Sequence, residues 1–93
     1  MKVVHTKFKG LKIIKHYRNI DSRGSLRETF KRKIMNWENF VLEYATVSKK
    51  NILRGFHFQH RYPQAKLVTV IKGKIFDCVI DLRKNSKTFG KYF

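Results

Sequence analysis

Acidic side chains are scarce in this sequence. Six aspartates and glutamates stand against 22 lysines and arginines, for a formal net charge of +16. A surface so short of carboxylate attracts anions. It admits three partner classes: nucleic acid, an anionic membrane surface and a phosphorylated small molecule. Fifteen of the cations are lysines spread over every segment rather than gathered into a stripe. That pattern reads as general surface charge, with only a few cations taking part in chemistry. Cysteine is nearly absent. The single Cys78 excludes an intrachain disulfide and a cysteine zinc cluster, and it fits a reducing cytoplasm. The five glycines are dispersed, so no glycine-rich loop cradles a phosphate. No serine sits in a nucleophile elbow. No apolar run approaches the roughly 18 residues of a membrane helix, and the start Met1-Lys2-Val3-Val4-His5-Thr6-Lys7 lacks the apolar core of a secretory signal.

What is present is a globular composition, 42% apolar and 14% aromatic, over 93 residues, enough for one small domain spanning 1–93. Most segments alternate as strands do. Residues 2–8, 11–17, 40–48 and 52–60 are strand candidates, and 25–30 is a strand or short extended piece. Residues 66–71 and 74–82 read as a hairpin about Lys72-Gly73. Asp21-Ser22-Arg23-Gly24 is a turn, because aspartate can bond its own backbone and glycine permits positive φ. Residues 31–37 form the one plausible helical turn, with Ile34 and Trp37 three apart. Residues 83–90 read as a polar loop. Short strands joined by turns predict an all-β sandwich or barrel. The end at Lys91-Tyr92-Phe93, apolar and just after a turn, reads as a cut within a domain, which leaves open strand edges and a bare apolar face.

The stretch most informative for chemistry is Ile52-Leu53-Arg54-Gly55-Phe56-His57-Phe58-Gln59-His60. In an unbroken strand Arg54 and His57 point to opposite faces. A bulge at Gly55 would turn them onto one face. The bland alternative is a surface arginine and a lone half-buried histidine. A metal site is disfavoured: the position two after His57 is Gln59, and imidazoles without carboxylate or thiolate bind poorly in so cationic a chain. Phe56, Phe58, Arg61 and Tyr62 interleave aromatic and basic side chains, as a stacking platform for single-stranded nucleic acid does; a place in the core is the favoured reading. Asp77 and Asp81 share a strand face, either as a carboxylate pair for acid–base work or, the favoured reading, as solvent-facing residues. Cys78, alternating with Phe76 and Ile80, reads as core.

Five segments in register resemble one family. Leu53-Arg54-Gly55-Phe56-His57-Phe58-Gln59 resembles the LRGxHxQ signature of dTDP-4-dehydrorhamnose 3,5-epimerases. Gln64-Ala65-Lys66-Leu67-Val68 resembles that family's Q-x-K-L-V. Asp77 to Lys84 and Ser86 to Gly90 resemble its D-x-x-x-D-[LI]-R-x and S-x-T-[FY]-G blocks. Asp21 to Gly24 and Glu28-Thr29-Phe30 resemble its D-x-RG and E-[TS]-F segments. The resemblance covers this chain but only the N-terminal half of a typical member, leaving out the family's general-acid tyrosine and the aspartate that pairs with its histidine. Leu42-Glu43-Tyr44 departs from the family's Gln-[DE]-Asn, keeping only the acid.

The resemblance implies a cupin jelly roll of two packed antiparallel sheets, truncated at its C-terminal side, and a homodimer when complete. It implies epimerisation of a dTDP-linked 4-keto-6-deoxyhexose at carbons 3 and 5, in the cytoplasm, without metal or cofactor. His57 then matches the base, Lys66 the group that stabilises the enolate, and Arg23, Glu28 and Arg54 the substrate contacts. The chemistry suits these residue types. Proton abstraction beside a ketone needs a base that is neutral near pH 7, as imidazole is. Nearby cations disfavour a charged imidazole and stabilise a developing oxyanion. An arginine fork suits a diphosphate. A cupin 3-epimerase or ketoisomerase on a related dTDP-sugar is the near alternative, and a non-catalytic basic module that binds nucleic acid the distant one.

Overall fold

The computed structural model describes residues 1–93. Its regular elements are all strands: β1 Lys2–His5, β2 Lys12–Lys15, β3 Arg18–Asp21 and β4 Gly24–Arg27. They form two antiparallel hairpins, β1 with β2 and β3 with β4. The all-β expectation holds in this form. The chain divides into two compact units, one of Met1–Met35 with Thr69–Phe93 and one of Asn36–Val68.

In the first hairpin, Val3 pairs with Ile14 and Val4 with Ile13, the β-branched pairs that favour a pleated surface. The connection is tied by Thr6. Its hydroxyl lies 3.2 Å from Phe8 O and 3.0 Å from Leu11 O, and it accepts from Phe8 N–H at 3.1 Å. Such local bonds let threonine hold a turn. The second hairpin is built on the expected turn. Asp21 pairs with Gly24 across a two-residue loop, and Gly24 takes φ +133°, a conformation that glycine adopts without the steric penalty of a Cβ. This turn also explains β3. A tight hairpin needs strands on both sides, so 11–17 ends early, at Lys15, and Arg18–Asp21 forms a strand of its own.

Within the expected 31–37 segment the chain makes one hydrogen-bonded turn over 31–35, with Ile34 and Met35 N–H both donating to Lys31 O at 2.9 Å, and no helix forms. The turn carries Met35 into complete burial. Phe8 is the other buried apolar side chain, and its ring meets Phe93 edge to face at 5.9 Å between centroids, a favoured aromatic geometry. Arg27 Nη2 ties β4 to the C-terminal segment by donating to Val70 O at 2.9 Å.

Other expectations fail. Residues 40–48 and 52–60, and the hairpin 66–71 with 74–82, carry no regular ladder; outside the hairpins there is one isolated antiparallel bridge, Ile80 with Tyr92. Strand propensity marks a face to be covered, but a ladder also needs a partner for its backbone groups. Accordingly Phe56, Phe58 and Tyr62, expected in the core, are exposed, and Cys78 is only half-buried. Asp77 is exposed as expected, whereas Asp81 is buried, at 6% exposure. The loop 83–90 folds around it. Arg83 Nε donates to Asp81 Oδ1 at 2.8 Å and Arg83 Nη2 to Oδ2 at 2.8 Å. Ser86 Oγ and Thr88 Oγ1 also donate to Oδ2, at 2.5 and 2.6 Å. Gly90 N–H closes the loop on Asp81 O at 2.8 Å. A carboxylate with all these donors is satisfied despite burial. It is a loop anchor rather than half of an acid–base pair.

Candidate functional site

The five residues singled out in the sequence fall into two groups. Arg23 and Glu28 belong to the first unit, and Arg54, His57 and Lys66 to the second.

Arg23 sits at the tip of the β3–β4 turn, where its side chain is almost fully exposed. Its backbone N–H donates to Asp21 Oδ1 at 2.9 Å, and its Nε and Nη2 reach Asp21 Oδ2 at 3.2 and 2.7 Å. These bonds hold the Asp21 carboxyl below the usual carboxylate range, the Arg23 side chain contributing most. Both contacts converge on one oxygen, so the guanidinium keeps further N–H groups for an anion.

Glu28 follows β4 by one residue. Its carboxylate pairs with Lys31 Nζ at 2.8 Å; that hydrogen bond, with the lysine charge, lowers its pKa. Its carbonyl oxygen lies 2.6 Å from His16 Nδ1. A carbonyl can only accept, so Nδ1 of His16 carries the proton in this contact. Glu28 lines a shallow pocket of about 180 Å³ together with Met1, Tyr17 and Asn19. Tyr17 and Asn19 were not singled out in the sequence. Their signal was faint: Tyr17 immediately precedes β3 and Asn19 lies within it. The pocket offers a carboxylate, an amide and a phenol, a set suited to hydroxyl groups of a polar ligand.

In the second unit Arg54 is held on its own segment, with Nε donating to Ser48 Oγ at 2.9 Å and Nη2 to Val47 O at 3.4 Å. His57 and Lys66 are exposed. The bulge expected at Gly55 has no ladder to interrupt, since 52–60 is unpaired. Gly55 instead takes φ +126°, which breaks the simple alternation between Arg54 and His57 and which a residue with a Cβ adopts only under strain. No three histidine, cysteine, aspartate or glutamate side chains gather into a group that could hold a metal ion, and no helix is long and apolar enough to cross a membrane.

Comparison with known proteins gives a consistent result. The family profile described as dTDP-4-dehydrorhamnose 3,5-epimerase matches residues 5–93. A protein of that name from Methanothermobacter thermautotrophicus is 44% identical, the match taking in 96% of this chain and 50% of the relative. Its namesakes from Escherichia coli K12 and Neisseria gonorrhoeae are 37% and 36% identical, each over 99% of this chain and over 53% and 29% of their own lengths. The chain thus spans about half the length, or less, of these curated relatives. No solved structure matches. With a profile match over nearly all its residues, carrying the Arg54-Gly55-Phe56-His57 and Lys66 segments, the chain belongs to the dTDP-4-dehydrorhamnose 3,5-epimerase family.

Proposed function

We propose that this chain forms the N-terminal part of an epimerase acting on a dTDP-linked 4-keto-6-deoxyhexose at carbons 3 and 5. The observation that carries the reading is the family match over residues 5–93, which takes in all five candidate residues. The two units are then parts of a single partial domain, a cupin jelly roll when complete, working as a cytoplasmic homodimer without metal or cofactor.

In this reading His57 removes the proton from a carbon next to the ketone. The electrons move onto the ketone oxygen, giving an enolate, and a proton delivered to the opposite face by the general-acid tyrosine that the resemblance assigns outside these residues inverts the centre. Repeating the cycle on the other side of the ketone inverts the second carbon. The task needs a base that is neutral near pH 7, a role that imidazole chemistry suits. Lys66 supplies the positive charge that the enolate oxygen needs, a stabilisation felt mainly in the transition state. Arg54 contacts the substrate. Arg23, exposed and with donors to spare, suits the diphosphate. Glu28, held ionised by Lys31, accepts from hydroxyl groups of the sugar or nucleoside.

The test is solvent deuterium exchange into dTDP-4-keto-6-deoxyglucose, followed by NMR, with His57→Ala alongside. Exchange at both carbons is expected, falling at least ~100-fold in the variant. Exchange at carbon 3 alone would replace the reading with a 3-epimerase. Undiminished exchange in His57→Ala would remove the histidine from the mechanism.

A further inference from the structure

Antiparallel pairing in the second hairpin sets Arg18 directly opposite Arg27. Side chains paired in this way stand on one face with Cβ atoms roughly 5 Å apart, where like charges repel. No carboxylate of the hairpin relieves them. The next pair on their face is Ile20 with Ser25, while Asn19 and Asp21 alternate onto the other face. Asp21 is taken by Arg23, and Glu28, just past β4, by Lys31. Arg27 is half-buried and held in place, with Nη2 donating to Val70 O at 2.9 Å. That bond uses one of the five donors of a guanidinium. Arg18 is exposed beside it.

The first hairpin also sets two cations opposite each other, Lys2 and Lys15. The two pairs differ in what lies next to them. Beside the lysines on their face come Val4 and Ile13, whose side chains offer no donor. Lysine heads on flexible stems also swing apart into water. The arginines carry planar forks, one of them anchored, and Ser25 adds a hydroxyl two residues from Arg27. An anion seated between the forks relieves their repulsion, and each fork matches two phosphate oxygens. Two forks and one hydroxyl suit a single compact phosphate. The repeated charges of a nucleic-acid strand call for a longer row of contacts.

We propose that Arg18 and Arg27, with the Ser25 hydroxyl, bind the phosphate group of a small molecule, at a site separate from the Arg23 turn and from the pocket at Glu28. The sheet itself separates them. Asn19 lines that pocket, and Arg18, its neighbour in β3, stands on the opposite face. The site does not depend on the epimerase reading.

The experiment is an NMR titration of the arginine Nε–H signals of the 93-residue chain with inorganic phosphate at neutral pH. Sodium chloride at matched ionic strength runs alongside. Saturable shifts at Arg18 and Arg27 are expected with phosphate and not with chloride. Arg18→Gln is expected to weaken phosphate binding, read at Arg27, by about tenfold. Lys15→Gln removes the same charge and is expected to change it by less than about twofold, as is Arg23→Gln. Backbone amide shifts of β3 and β4 report whether a variant keeps the hairpin. If Arg18→Gln loses it, Arg18→Lys decides, with binding about fivefold weaker expected from the lost fork at unchanged charge. Shifts that chloride reproduces would overturn the proposal, and so would equal weakening by Lys15→Gln and Arg18→Gln, since either assigns the effect to net charge. Equal weakening by Arg23→Gln would overturn it by placing the phosphate at the turn instead.

Discussion

Asp21-Ser22-Arg23 and Asp81-Leu82-Arg83 are the same motif folded the same way. In each, the arginine backbone N–H donates to its aspartate Oδ1, at 2.9 and 3.0 Å, and the guanidinium turns back on the carboxylate. They differ in what surrounds the carboxylate. The Asp21 side chain is 53% exposed and that of Asp81 is 2% exposed. Arg23 places Nε and Nη2 on a single oxygen, whereas Arg83 spreads them over both, the bidentate geometry that makes arginine–carboxylate pairs strong. Asp81 also gathers the hydroxyls of Ser86 and Thr88. Arg83, then Ser86 and Thr88, depress its pKa far below the usual carboxylate range, against the opposing effect of burial, and the pair raises that of Arg83. One local fold thus serves two purposes. Enclosed, it fixes a loop. Exposed, it shapes a turn and leaves an arginine presented to solvent.

The widest gap between the two forks is expected on removing the carboxylate. Asp81→Ala strands a guanidinium and two hydroxyls around a void, a change of the kind that unfolds marginal domains. The thermal midpoint is expected to fall by on the order of 10 °C, followed by circular dichroism. An Asp81→Ala midpoint no lower than that of Asp21→Ala would break the comparison.

Acid is expected to separate the forks next. A carboxyl whose folded pKa lies below its unfolded value of about 3.9 stabilises the fold at pH above that value. The contribution is lost as pH falls from there toward the folded value. For Asp81 the depression is large, so stability should drop steeply below about pH 4. Asp81→Asn should flatten that drop and Asp21→Asn should leave it intact, read as denaturation midpoints between pH 5 and pH 2.

Those two aspartates also mark how far sequence reasoning reached. The turn at Asp21 was legible because its causes are local: an aspartate that bonds its own backbone, and a glycine at positive φ. The loop anchor at Asp81 was equally local, its donors at Arg83, Ser86 and Thr88 lying within seven residues. It was missed because strand alternation was applied to Asp77 and Asp81 as a pair, and alternation carries no information on loop donors further along. The hairpin segments around Val3-Val4 and Ile13-Ile14 were legible from β-branched alternation with a partner nearby. Residues 40–60 alternate too, but pairing there depends on a neighbour distant in sequence. The candidate residues were legible from their motifs. Whether Lys66 comes within reach of His57 was not, because that is set by packing between segments.

A smaller effect is expected from changing each arginine to lysine. Lysine keeps the charge and loses the planar fork. Arg83→Lys should lower the midpoint by roughly 5 °C. Arg23→Lys should leave it within about 2 °C, because an exposed pair contributes little. On the proposed function, Arg23→Lys should instead weaken binding of dTDP by about fivefold, through loss of paired bonds to the diphosphate; isothermal titration calorimetry measures it. An Arg23 variant that loses stability but binds dTDP normally would reverse the roles of the two arginines.

The smallest change, Asp21→Asn, isolates charge from shape. An asparagine oxygen can still accept from Arg23 N–H, so the turn persists, and the midpoint should stay within about 2 °C of the parent. The carboxylate charge beside Arg23 is gone. In the parent that charge competes with any incoming phosphate for the guanidinium and repels it. Its removal should tighten dTDP binding by about twofold, and the gain should fade as salt rises toward 1 M, where screening acts within roughly 3 Å. Weaker binding in Asp21→Asn would mean that Asp21 positions the Arg23 fork for its anion rather than competing with it, and the exposed fork would then be as much a fixed scaffold as the buried one.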